Sequence, residues 1–221
     1  MKKIFFKIAV MALAAVVIMS AVPQIVYAQS NKKQEKQLQK ARDKQYKDRK
    51  KQFEKEGWKV SGTAKSIDVV LLEYYKKLNA NENNYEIVGE VSACNSINVC
   101  KQAAFNNAVV EYANRAKTAV RGRIASDMNL DQTTGKGEFD HLYGAYERLV
   151  EAEIKGVLQQ SFAIVKEHSD GSKEYKIFFI IDEESAMSAR IRAMENAVKE
   201  TQLAQEYAEK VVSFVREGFA E

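Results

Sequence analysis

The run from Tyr85 to Ile124 constrains the fold more than any other part of this chain. It opens as Tyr85-Glu-Ile-Val-Gly-Glu-Val-Ser-Ala-Cys94, in which Tyr85, Ile87 and Val91 alternate with Glu86 and Glu90. That alternation predicts a strand with one wet face. Gly89 in its middle predicts a bulge, or the backbone of a helix pressed against the strand. Five residues and Cys100 follow, and then an alanine-rich helix to Ile124. Its inward stripe is read as Phe105, Val109, Tyr112, Ala116, Ala119, Val120 and Ile124, with Ala103, Ala104, Ala108 and Ala113 letting it lie close on a sheet.

The two cysteines of this run are the only ones in the chain. Fully extended, six residues separate their Cα atoms by about 20 Å, whereas a disulfide needs them within ~7 Å. A strand that turns at once into a helix closes that gap. The expected reading is a structural Cys94–Cys100 staple. The alternatives are a redox pair, which usually has C-x-x-C spacing, and two free buried thiols.

The N-terminus says where such a staple would form. Lys2, Lys3 and Lys7 precede an apolar stretch from Ile8 to Val22, and Val26-Tyr27-Ala28 places small residues where a signal peptidase wants them. The expectation is a signal peptide over 1–28 and an exported protein, periplasmic or outer-membrane associated. A retained anchor, which needs about 20 apolar residues, is the alternative. No cysteine stands near the junction to carry a lipid.

Charge then divides the remainder. Residues 29–57 hold eleven basic against five acidic side chains, and 58–221 hold twenty against twenty-five. The first segment reads as a basic helical arm or linker, rich in good helix formers and poor in apolar residues. Lys36, Lys40, Lys44, Lys47 and Lys51 are its candidate partner-binding residues, with an anionic membrane surface as a possible partner; nucleic acid is not expected. The rest, 58–221, reads as a single domain.

Within it, Trp58 to Gly62 suits a turn or short edge strand. Ser66 suits the cap of a helix with Ile67, Val70, Leu71, Tyr74 and Leu78 on one face. A polar loop is expected over Ser126 to Glu138, then a helix from Phe139 to about Lys155. Val157–Val165 and Tyr175–Ile181 flank Asp170-Gly171, a strong hairpin signal. The second run is apolar on both faces and reads as a central strand.

The last segment continues from Asp182 to Glu217 without Gly or Pro. Met187, Met194, Thr201, Ala208 and Val215 recur every seven residues, as do Ile191, Val198, Gln205, Val212 and Phe219, with a polar middle at Thr201 and Gln205. One helix of that length spans ~52 Å, more than the ~40 Å width of a body this size. Part of it is therefore expected to project, with Val212, Val215 and Phe219 as partner-binding residues. Two short helices, or one curved helix wrapped on the core, are the alternative.

No catalytic constellation accompanies these elements. His141 and His168 are isolated, no phosphate-cradling glycine loop or nucleophile elbow occurs, and Asp182, Glu183 and Glu184 suit a helix N-terminus. No catalytic residue, cofactor or metal is assigned, and the chain is read as non-enzymatic. The order Tyr85-Glu-Ile-Val-Gly-Glu, Ala103-Ala-Phe-Asn-Asn-Ala-Val-Val-Glu-Tyr-Ala-Asn-Arg-Ala, Gly156-Val-Leu-Gln-Gln-Ser-Phe-Ala-Ile-Val-Lys, the Asp-Gly hairpin and Tyr175-Lys-Ile-Phe-Phe-Ile-Ile resembles the Lpp-twenty-like bacterial envelope lipoproteins over about Tyr85 to Ala197. Relatives of that family include flagellar ring proteins associated with the outer membrane. The chain is also similar to uncharacterised exported proteins of Bacteroides-type bacteria. It differs from the lipoproteins in lacking a lipid-bearing cysteine and in carrying the basic arm and the cysteine pair.

The resemblance implies an α+β fold with a β-α-β-β-α core, in which the helix after Phe139 is an addition, and an envelope role through self-association or an envelope protein partner. Between the two ends of the chain, a small-ligand or lipid carrier with a pocket between the sheet and the helix of Tyr143 and Tyr146 is the second expectation.

Overall fold

The computed structural model describes residues 22–127, 136–202 and 205–218. Two compact units divide the chain, Met1–Lys51 and Gln52–Glu221. The first is described by helix α1 (Val22–Glu56), which ends in the second. Among the described residues no helix is long and apolar enough to cross a membrane. Most of the expected signal segment, and Phe219, lie outside the described residues.

The second unit is α+β. Its elements are β1 (Lys59–Val60), α2 (Ile67–Leu78), β2 (Asn84–Cys94), α3 (Ile97–Asp127), α4 (Lys136–Ile154), β3 (Gln159–Glu167), β4 (Lys173–Asp182), α5 (Glu183–Thr201) and α6 (Gln205–Arg216). The strands form one antiparallel sheet in the order β1-β3-β4-β2. β4 is central and buried on both faces, as its doubly apolar sequence predicts. The β3–β4 hairpin turns where Asp170-Gly171 predicts: Gly171 takes the left-handed conformation at φ +82°, and Asp170 Oδ1 accepts from Ser172 N at 2.9 Å.

One face of the sheet stacks aromatic rings. Phe162 and Phe178 lie parallel with centroids 4.3 Å apart, Tyr74 of α2 meets Phe162 edge-on at 5.3 Å, and Phe53 packs on Phe178 at 5.9 Å. This cover corrects the expected wet face of β2. Glu86 points beneath α2 and accepts a hydrogen bond from the Tyr74 hydroxyl, whereas Glu90, beyond the helix, is exposed and pairs with Lys176 at 3.1 Å.

On the opposite face, Cys100, Ala104 and Ala108 of α3 pack on Tyr175, Ile177 and Phe179. The buried stripe of α3 holds Val109, Tyr112, Ala116, Val120 and Ile124 as expected, with Ala104, Ala108 and Ala113 fully buried beside them, whereas Phe105 and Ala119 are only half-buried. Large side chains at the contact would hold the helix axis away; alanines let it descend onto Gly89. The register irregularity of β2 falls between Val91 and Cys94 rather than at Gly89. The helix also runs to Asp127, past the expected start of the loop; 128–135 lie outside the described residues.

The C-terminal segment is two helices, which corrects the single helix with a projecting end. α5 stops at Gln202, in the left-handed conformation at φ 53° and ψ 34°, with its N–H donated to Val198 O. α6 returns to pack on α5 and α3, burying Val211, Phe214 and Val215 in the core. Each such burial contributes about 1.5–3 kcal/mol, while a left-handed residue other than glycine costs roughly 1–2 kcal/mol. Turning back wins. The break falls in the polar middle of the heptad pattern, beside Thr201, whose hydroxyl donates to Ala197 O at 2.8 Å.

Candidate functional site

The cysteines are bridged, with Cα atoms 5.5 Å apart, and no free cysteine is present. Ser96 makes the turn: its hydroxyl accepts from Val99 N at 3.4 Å and its carbonyl from Cys100 N at 2.9 Å, so only two residues separate the end of the strand from the start of α3. Cys100 is fully buried and Cys94 nearly so. Unreduced protein is expected to release no thiol on denaturation. Replacing both cysteines by serine should lower unfolding stability in urea by about 2 kcal/mol, the loop-entropy value for so short a ring; a change below a few tenths would remove the staple's role.

The most concentrated polar chemistry lies elsewhere, where β2, α3, α4 and α5 meet. Arg190 of α5 is 1% exposed. Its guanidinium donates to Tyr112 Oη of α3 at 2.5 Å and to both carboxylate oxygens of Glu183, two turns earlier on α5. Tyr85 of β2 donates to Tyr112 Oη at 3.4 Å. Alanines at 186, 189, 193 and 197, all fully buried, make the room a guanidinium needs. Burial opposes the charge of Arg190, and Glu183 with Tyr112 more than offset it, holding the pKa above its ordinary value. Asp182 caps α5, accepting from Ser185 N at 3.0 Å. The acidic triplet thus supplies one cap and one counter-ion.

Tyr146 of α4 completes the cluster. It is fully buried, and its hydroxyl has no hydrogen-bond partner among the described residues. Burial pushes the phenol pKa of Tyr146 well above 10.0, with Arg190 pulling the other way; Tyr85 is raised for the same first reason. A raised phenol pKa favours the native state while the unfolded phenol stays neutral. Stability should therefore hold below pH ~10 and fall above it, by up to about 1.4 kcal/mol per pH unit for Tyr146. Partly solvated Tyr85 adds a smaller amount in the same direction. Phenolate absorbance should accordingly rise for these tyrosines only as the fold is lost; early titration of all ten tyrosines would contradict it. Because its hydroxyl is buried without a partner, Tyr146→Phe should leave stability unchanged or raise it by about 1 kcal/mol, read by urea denaturation. A loss above 1 kcal/mol would mean that the hydroxyl is satisfied.

The sequence reading missed this cluster. The available signal was Arg190 itself, three residues after Met187 and four before Met194, a cation on an otherwise apolar face. The residues that reading did favour are dispersed. Lys36, Lys40, Lys44, Lys47 and Lys51 are exposed along α1. Val215, expected to meet a partner, is fully buried in this chain's own core, and Val212 is half-buried against it. His141 is exposed on α4, and His168 Nε2 stands 3.9 Å from Glu174 at the hairpin.

Among the described residues, neither Tyr143 nor Tyr146 lines the grooves beside Val110, Val198 or Phe105. Tyr146 is enclosed by core side chains, and Tyr143 rests between Phe139 and Arg121, whose guanidinium lies 5.7 Å from its ring centre. One groove, of about 480 Å³, runs between the start of α3 and the sheet, floored by Phe105, Ile177 and Phe179 and rimmed by Asn98, Lys101 and Gln160. Compared with known proteins, the chain matches no protein-family model, no curated protein and no solved structure.

Proposed function

We propose that this chain is an exported, envelope-associated protein that works as a non-enzymatic structural or interaction module, self-associating or binding an envelope protein. The observation that carries the reading is the Cys94–Cys100 bridge in a chain that begins with a basic and then apolar segment ending Val26-Tyr27-Ala28. Disulfides persist in oxidising compartments. The buried charges support the non-enzymatic part, since Arg190, Glu183 and Tyr112 bind one another and not an open pocket. The order of elements that resembles the Lpp-twenty-like lipoproteins is consistent with it.

Cell fractionation with lysine-directed crosslinking, followed by light scattering of the purified protein, tests the reading. Recovery in the envelope or periplasm, with a self-crosslink or an envelope partner, is the expected result. A reduced, cytosolic monomer that captures nothing would sink it.

The second reading, a periplasmic small-ligand or lipid carrier, is favoured by the groove over Phe105, Ile177 and Phe179, not by the tyrosine helix. Saturable binding of a fluorescent fatty acid that Phe105→Asp abolishes would support it; failure of fatty acids to compete would end it.

A further inference from the structure

The lysines of α1 repeat with a period longer than the five partner-binding positions suggest. Lys33, Lys36, Lys40, Lys44, Lys47, Lys51 and Lys55 are separated by three, four, four, three, four and four residues. That is an eleven-residue repeat run twice. At 100° per residue all seven fall within an arc of about 100° on one side of the helix, and the row drifts only ~20° per eleven residues. All seven are exposed. The result is a straight line of ammonium groups ~33 Å long with one charge every ~5.5 Å. Asp43 and Asp48 flank the row, and Glu54 enters it only in its last turn.

We propose that this lysine row is a docking surface for the headgroup plane of an anionic phospholipid bilayer. A straight row matches a plane, whereas the phosphates of a coiled polyanion turn away from it. The row holds no arginine to grip phosphates bidentately and no aromatic ring to stack on bases; Arg42, Arg49, Tyr46 and Phe53 are on other faces. Lysine is a compact, strongly hydrated charge suited to a diffuse anionic field. With no large apolar side chain in the row, the helix would rest on headgroups and not enter the acyl region. This adds a partner to the envelope reading without depending on it: vesicles test the row, and fractionation tests the location.

The test is flotation of the full chain with vesicles of phosphatidylcholine containing one quarter phosphatidylglycerol, at 0.15 M salt. Pure phosphatidylcholine vesicles report whatever the apolar N-terminal stretch does alone, and the difference is the readout. Each lysine near an anionic membrane multiplies partitioning roughly fivefold. Lys36→Gln, Lys40→Gln, Lys44→Gln and Lys47→Gln together should therefore lower it several-hundred-fold. The control variant changes net charge equally but off the row, at Lys32, Arg42, Arg49 and Lys50. A helix is about 10–12 Å across and charge is screened over ~8 Å at this salt, so the control should lose less than about tenfold. Circular dichroism verifies that both variants keep their helix. Equal losses in the two variants, equal binding to neutral vesicles, or stronger binding to inorganic polyphosphate or single-stranded DNA than to the anionic vesicles would each overturn the proposal.

Discussion

Gly89→Ala is expected to destabilise the protein by more than about 3 kcal/mol, a large share of what holds a domain folded. A Cβ at this position overlaps the carbonyl oxygen of Ala104 and stands 2.9 Å from the Cβ of Ala108. The obstacle is backbone, so no rotamer change relieves it. Either α3 lifts off the sheet, opening the contact of Ala104 and Ala108 with Ile177 and Phe179, or β2 bends away from β4, where Gly89 pairs with Ile177. Overpacking a tight core by one methyl costs typically 1–3 kcal/mol when side chains can adjust, and here they cannot. A domain's whole stability is about 5–15 kcal/mol. The matching control is Gly144→Ala on the exposed face of α4, where a Cβ meets nothing within 4 Å. There alanine should stabilise by about 0.5–1 kcal/mol, through helix propensity alone. Urea and thermal unfolding of the pair, followed by circular dichroism, decide the matter. If both variants shift by less than 1 kcal/mol, α3 is not seated on β2 as described.

The second large effect concerns Arg190 and Glu183, and its sign is set by which partner is left behind. Glu183→Gln strands a guanidinium that is 1% exposed without the carboxylate that neutralises it. Removing one partner of a buried pair costs about 3–5 kcal/mol. Arg190→Met instead leaves a carboxylate whose side chain is 35% exposed and can be solvated. It also fills the volume, so the cost should be lower, about 2–4 kcal/mol. Tyr112→Phe removes one hydrogen bond from Arg190 and should cost about 1–2 kcal/mol. The expected order of loss in urea denaturation is Glu183→Gln, then Arg190→Met, then Tyr112→Phe. Equal and small effects for the first two would show that the cluster is hydrated in solution.

How much of this was legible in advance follows the range of the interactions. The β3–β4 hairpin was readable because Asp170-Gly171 encodes a local backbone geometry. The central place of β4 was readable because its residues are apolar at both parities. The staple was readable because five residues between the cysteines leave few paths. The wet face assigned to β2 failed at Glu86, because α2, not β2, decides whether that residue meets water. The seven-residue seam of the C-terminal segment was real as a pattern but chose the wrong partner. Its positions are shared between α5 and α6, and Val215 is buried in the core of the same chain. Phe219, at the end of that seam, lies outside the described residues.

The sequence by itself determined the local elements: the strand-turn-helix around Cys94 and Cys100, the Asp-Gly hairpin, the capped helices after Ser66 and Asp182, and the basic helix with its eleven-residue lysine repeat. Each depends on contacts within a few residues, where residue type and spacing carry the information. Tertiary structure alone decided three other things: that Gly89 lies under Ala104, that Arg190 finds Tyr112 and Glu183 inside an alanine-lined core, and that the last helix turns back at Gln202. Those outcomes join residues far apart in the chain. They depend on the free energy of burying surfaces against one another, which no single segment contains.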